Sequence, residues 1–174
     1  MGLVLIAVFV ALVVALFVLA IIEASLLHLR RSAVAADSDE GDARAQRLLD
    51  LLDRLPRVMN AVLLAVLFTQ VSATTVAGLA ARHISDDLGI TLTTVLVTIV
   101  LFVYGEAIPK TIAIRNPLRH ARRLVGPIHW LDVVLGPFVR ALVWFAERQS
   151  PRTDGHQTDV VSERELRHIT GQAA

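Results

Sequence analysis

Gly105-Glu106-Ala107-Ile108-Pro109-Lys110 closes a long apolar stretch, and this run decides how the chain is read. A carboxylate at membrane depth is costly and usually has a function. A proline three residues later removes a backbone donor and crowds the turn before it, which loosens the helix. Together they predict an ion site built where a membrane helix breaks.

Three apolar runs reach the roughly 20 residues that a helix needs to cross a bilayer. They cover residues 3–27, 58–80 and 88–108. The 174-residue chain is 55% hydrophobic and only 19% charged, which excludes an ordinary soluble domain. It has no cysteine, so disulfides and thiolate metal sites are excluded too. The first run has no basic segment before it and no small-x-small cleavage site after it. It is also longer than the apolar part of a signal peptide, so a retained helix is expected.

The net charge of +1 conceals an uneven distribution. The connector at 30–57 carries Arg30, Arg31, Arg44, Arg47, Arg54 and Arg57. The stretch after the third run carries Lys110, Arg115, Arg119, Arg122 and Arg123. Between the second and third runs there is only Arg82, beside Asp86 and Asp87. Cytoplasmic loops hold the excess of Lys and Arg. The expected fold is therefore an all-α membrane protein with three transmembrane helices, N-terminus outside and C-terminus inside, in the plasma membrane. Topology and anionic lipid account for these arginines better than nucleic acid does.

Within the connector, Asp37–Asp42 reads as a polar turn and helix start. From Ala43 to Leu55, leucines cluster on one side among arginines and aspartates, which predicts an amphipathic cytoplasmic helix ending at Pro56. In the second span, Ala61, Ala65, Thr69, Ala73 and Ala77 form a small-residue row along one helix face. Such a row lets two membrane helices approach closely. Gln70 lies near mid-span and needs a partner, either a neighbouring helix or an ion. Thr91, Thr93, Thr94 and Thr98 are read as packing residues that bond their own preceding carbonyls.

Residues 124–148 are apolar but interrupted by Asp132, Arg140, Pro127 and Pro137. The expectation is juxtamembrane amphipathic helices with Trp130 and Trp144 at headgroup level, the prolines cutting the run into pieces too short to span. Residues 149–174 read as a linker and the start of a helix, with Ser162 and Glu165 forming a capping box. That helix is expected to lead into a cytoplasmic domain. The division is thus 1–123, 124–148 and 149–174.

The acidic residues inside the spans are Glu23 and Glu106. Glu23 lies about 10 Å along a helix from Arg30, and Glu106 about 13 Å from Arg115, so their depths are similar. Two carboxylates that converge on a cation can both stay charged. The donor type points to a hard ion such as magnesium, which takes oxygen ligands and keeps several waters. Gln70 offers an amide oxygen. Gly105 offers a carbonyl freed by Pro109 and permits close approach. The alternatives are a membrane-interface role for Glu23, an interhelical hydrogen bond for Gln70, and a salt bridge from Glu106 to Lys110 one turn on. The histidines, His28, His83, His120, His129, His156 and His168, have no ligand spacing. No nucleophile–base pair supports a membrane enzyme.

Gly105-Glu106-Ala107-Ile108-Pro109-Lys110-Thr111 resembles the Gly-Glu-x-x-Pro-Lys-Thr signature of the CorC/CNNM transmembrane domain. Glu23-Ala24-Ser25-Leu26 resembles the acidic end of that family's first helix, residues 30–57 its leucine-rich connector, and 161–170 the acidic helix before its CBS pair. The resemblance implies a homodimer with three spans and a juxtamembrane belt. It also implies magnesium export from an inward-facing cavity, with sodium as counter-ion. ATP binding belongs to the CBS pair and is not carried over. Ala20, Ile21 and Ile22 stand where the family often has serine. Val66-Leu67-Phe68-Thr69-Gln70 stands where it often has an asparagine-rich run, leaving Gln70 as the amide. The thinned amide set supports a second reading, a non-transporting anchor or sensor for a partner domain.

Overall fold

The computed structural model describes residues 2–39, 42–82 and 87–149. These are helical, with no strand among the described residues. The elements are α1 (Gly2–Leu27), α2 (Arg31–Asp39), α3 (Ala43–Asp53), α4 (Leu55–Arg82), α5 (Asp87–Phe102), a π-helical turn (Val103–Ala107), α6 (Ile108–Arg115), α7 (Pro117–Arg123) and α8 (Val125–Gln149). The capping box at Ser162 and Glu165 lies outside the described residues.

Long apolar segments become helices because lipid offers no partner to a free backbone group. Four helical stretches are long and apolar enough to cross a membrane: Gly2–Leu27, Leu55–Arg82, Thr91–Arg115 and Val125–Phe145. Their large side chains face outward: Leu3 is 83% exposed, Phe68 75% and Leu92 71%. Exposed apolar surface on this scale marks a lipid-facing protein.

The main helix contact is α1 on α4. Along it Ala61, Ala65, Ala73 and Ala77 are buried, so the small-residue row is the packing face. Thr69, in the same row, spends its hydroxyl on the Ala65 carbonyl at 2.7 Å. Leu19, Ile22 and Leu26 share a cluster with Val58, Val62 and Ala65, whereas Leu16 clusters with Ala73 and Leu101. Residue numbers therefore rise along α1 as they fall along α4, and the two are antiparallel. Ala113 packs with Ile21 and Ala24, so α5–α6 runs parallel to α1.

The core lies at one end of this bundle. There Leu26, Val34, Leu48, Leu51, Val58, Ala121 and Ile128 bring together α1, α2, α3, α4, α7 and α8. The amphipathic connector helix is present as α3. Its first turn is capped by the Asp42 carboxylate, which accepts the Arg44 N–H at 2.9 Å. It ends before Arg54, whose N–H bonds the Leu51 carbonyl at 3.2 Å. Pro56 then opens α4, in the first turn, where a missing N–H costs nothing. The polar stretch read as a turn begins later than expected, because Asp37, Ser38 and Asp39 still belong to α2.

The prolines at 127 and 137 do not cut the last apolar run. It is one 25-residue helix, α8. Pro127 falls in the first turn, and Pro137 costs one hydrogen bond, to the Val133 carbonyl, without ending the helix. The expectation of short pieces is corrected.

The chain divides into two compact units, residues 1–139 and 140–174. In the first, the buried Asp132 on α8 faces Arg54, between α3 and α4, and Arg57, in the first turn of α4. Arg57 Nε lies 3.2 Å from Asp132 Oδ1, and Arg54 lies 3.6 Å from Oδ2. The Arg57 guanidinium covers Gly136, where an added Cβ would fall 2.5 Å from its terminal nitrogen. α8 thereby leaves an apolar cleft of about 760 Å³ against α1 and α4, lined by Ile22, Phe68, Trp130 and Phe138 among others. In the second unit, Arg148 stacks over Trp144, 5.3 Å from the ring centre.

Candidate cation site

Pro109 lacks an N–H, so the carbonyl four residues earlier, on Gly105, loses its helical donor. The chain answers by widening the turn before the proline. Val103–Ala107 is a π-helical turn, in which the Ile108 N–H reaches back five residues to the Val103 carbonyl. The Thr111 hydroxyl donates to the Ala107 carbonyl at 2.7 Å. The break expected here is thus a bulge inside a continuous helix rather than an unwound segment. Such bulges frequently occur at functional sites.

Gly105 is buried against Leu16 of α1. An added Cβ would lie 3.8 Å from Leu16, an ordinary contact, so helix packing alone does not demand glycine. Glu106 is half-buried in the same turn. One turn further, Lys110 reaches across to α1, with its Nζ 3.5 Å from Glu23 Oε1. The lysine therefore pairs with the acid of the neighbouring helix. Among the described residues, Glu106 makes no ion pair or side-chain hydrogen bond. The expected alternative, a bridge within the helix from Glu106 to Lys110, is absent among them.

The helix registers place these groups in order of depth. Gly105 stands level with Leu16, and Lys110 with Glu23, with Glu106 between. Gly105 and Glu23 thus both lie along the seam that α1 makes with the π-turn and α6, and Glu106 belongs to that turn. Gln70 belongs to α4, whose Val66 and Ala73 pack with Leu16 of α1. It is half-buried on α4, between Val66 and Ala73, and no hydrogen bond joins it to either carboxylate among the described residues.

Among the described residues, no group of three or more His, Asp or Glu side chains could hold a metal. The apolar cleft beside α8 is not lined by any of the four proposed ligands. Along the seam stand one acid with no ion pair among the described residues, one acid paired with an ammonium, and the carbonyls of a distorted turn. That set suits an ion that keeps much of its water.

Two polar groups escaped the sequence reading. Ser25 is fully buried, and its hydroxyl has no hydrogen-bond partner among the described residues. It sits about 200° around the helix from Glu23 and so faces away from the seam. Asp132, which in the sequence only interrupts the last apolar run, is buried and paired. The preceding arginines were its signal, but their partner lies about 75 residues away in sequence.

The chain matches the family described as Cyclin M transmembrane N-terminal domain over residues 5–174. It is 26% identical over 159 residues to the UPF0053 inner membrane protein YfjD of Escherichia coli, covering 87% of this chain and 36% of that protein. A UPF0053 protein of Haemophilus influenzae is 24% identical over 161 residues, covering 87% of this chain and 37% of the relative. A chloroplastic DUF21 domain-containing protein of Arabidopsis thaliana is 27% identical over 90 residues, 52% of this chain and 14% of its own. This chain thus spans little more than a third of the length of the two bacterial relatives. With a family match that covers nearly every residue and the Gly-Glu-x-x-Pro-Lys run set on a distorted third apolar helix, the chain belongs to the cyclin M transmembrane N-terminal domain family.

Proposed function

We propose that this membrane domain carries a hard divalent cation, magnesium, across the bilayer. The observation that carries the reading is the π-turn at Val103–Ala107, just before Pro109, which holds Gly105 and a Glu106 with no ion pair among the described residues. Glu106 and Gly105 hold the ion, Glu23 contributes when Lys110 releases it, and Gln70 gives an amide oxygen along the path. The remaining ligands are waters, as magnesium prefers. Access alternates by rocking of α1 and α4 around the bulged helix, and sodium entry drives export.

The proposed topology keeps three spans, α1, α4 and α5–α6, with the N-terminus outside. The arginine-rich connector and α7 then lie in the cytoplasm, as the distribution of positive charge favours. α8 begins at that end, where Asp132 meets Arg54 and Arg57. A homodimer in the plasma membrane, working with a cytoplasmic CBS pair, completes the proposal. The name of the Escherichia coli relative, an inner membrane protein, supports that location.

The test is magnesium efflux from loaded liposomes with wild type and Glu106→Gln. The variant, folded by its melting temperature, should abolish efflux. Normal efflux would refute the role of Glu106. The amide set thinned to Gln70 favours the other reading, an anchor or sensor module. Equilibrium magnesium binding separates the two, because an anchor would bind none at millimolar concentration.

A further inference from the structure

At the end of the third candidate span the chain turns sharply. α6 stops at Arg115, Asn116 adopts φ −145° and ψ 67°, and α7 starts again at Pro117. This corner and the start of α3 border an open pocket of about 510 Å³. Arg44, Arg115, Arg119, Arg122 and Arg123 line it together with Asn116, and no acidic side chain does among the described residues.

The pocket has a fixed wall. The Asp42 carboxylate, which caps α3, also pairs with Arg122 of α7. Ala121, on the same helix, is fully buried in the core cluster. Asp42 offsets the charge of Arg122. Arg44, Arg115, Arg119 and Arg123 make no ion pair among the described residues. With one nearby carboxylate, Asp42, shared by Arg122 and Arg44, the guanidinium groups at this hollow outnumber the acids among the described residues and repel one another until an anion enters.

We propose that this pocket binds the phosphate of an anionic phospholipid. Its depth supports a lipid source, since Arg115 is the last residue of a membrane-length helix and so lies in the headgroup layer. Guanidinium forks match phosphate oxygens two at a time. Leu118, also at the pocket, offers apolar surface to the glycerol end of the lipid. Basic pockets at this level of membrane proteins take acidic headgroups. The inference is independent of cation transport.

Spin-labelled phosphatidylglycerol and phosphatidylcholine, each added to the full chain in phosphatidylcholine nanodiscs, measure the preference for the acidic lipid. Wild type should prefer phosphatidylglycerol. Arg119→Gln/Arg123→Gln should lose about tenfold or more in that preference. Arg47→Gln, an exposed arginine of α3 outside the pocket, should keep it. Circular dichroism melts confirm that all three proteins are folded. An unchanged preference in the double variant would overturn the proposal, and so would equal losses from the double variant and Arg47→Gln, which would mean diffuse surface charge. Inorganic phosphate is tested in parallel by phosphorus NMR. Line broadening that depends on the pocket, without any lipid preference, would assign the site to free phosphate and overturn the lipid claim.

Discussion

Glu23 of α1 and Lys110 of α6 are joined 3.5 Å apart across the seam that also holds the π-turn. Both side chains are largely shielded, 13% and 38% exposed. Lys110 also follows Glu106 by four residues, yet its ammonium pairs with the acid of the neighbouring helix. In the transport reading the lysine is the resident counter-ion of the empty state, and a cation must displace it.

That arrangement predicts an unusual sign. Lys110→Gln removes a competitor, so it should raise the equilibrium affinity for magnesium about two- to fivefold, the worth of a partly exposed ion pair. Isothermal titration of wild type and variant reads this directly. Equal or weaker affinity in the variant would mean that the pair only braces α1 against α6.

The Asp132 latch should respond asymmetrically. Asp132 is 3% exposed, whereas Arg57 is 34% and Arg54 47%. Removing the acid leaves arginines that can turn to water. Removing Arg57 leaves a buried carboxylate with one distant partner. Arg57→Ala should therefore cost more than Asp132→Asn, on the order of 1–3 kcal/mol against less than about 1 kcal/mol. Thermal unfolding in detergent checks the order, and the reverse order would show that water already reaches Asp132.

The elements that were legible in the sequence are those with strong local signals. The apolar runs at 3–27 and 58–80 gave α1 and α4 within a few residues, and the alanine row gave the face on which they pack. Pro109 located a disturbance, but not its form, because either unwinding or a wider turn relieves a missing donor. Prolines at 127 and 137 misled for the same reason: a local rule set a break that the helix tolerates. The partners of Lys110 and Asp132 were illegible. Each meets a residue more than 70 positions away, and such pairs depend on helix packing, not on spacing.

The packed end of the bundle should carry most of its stability. Leu48 is fully buried in the cluster where six helices meet, while Leu67 is 59% exposed along α4. Leu48→Ala should cost about 2–5 kcal/mol through lost burial and a residual cavity. Leu67→Ala leaves a lipid-facing surface that lipid or detergent refills, so its cost should stay below about 1 kcal/mol. Melting curves of the two variants decide this, and comparable losses would place the core elsewhere.

Acid should loosen the α3–α7 corner before it reaches the spans. The Arg44 N–H, then the Arg122 guanidinium, hold the Asp42 carboxyl below its ordinary value of 3.8. A folded pKa lower than the unfolded one gives stability that is present above 3.8 and is lost as pH falls through the lowered value. Asp42→Asn keeps an N-cap oxygen but has no charge to give Arg122. The melting temperatures of wild type and variant should differ slightly at neutral pH, with wild type higher. They should converge once the solution is acidic enough to protonate Asp42 in the folded protein. A gap that persists there would mean that the cap geometry, not the charge, carries the effect.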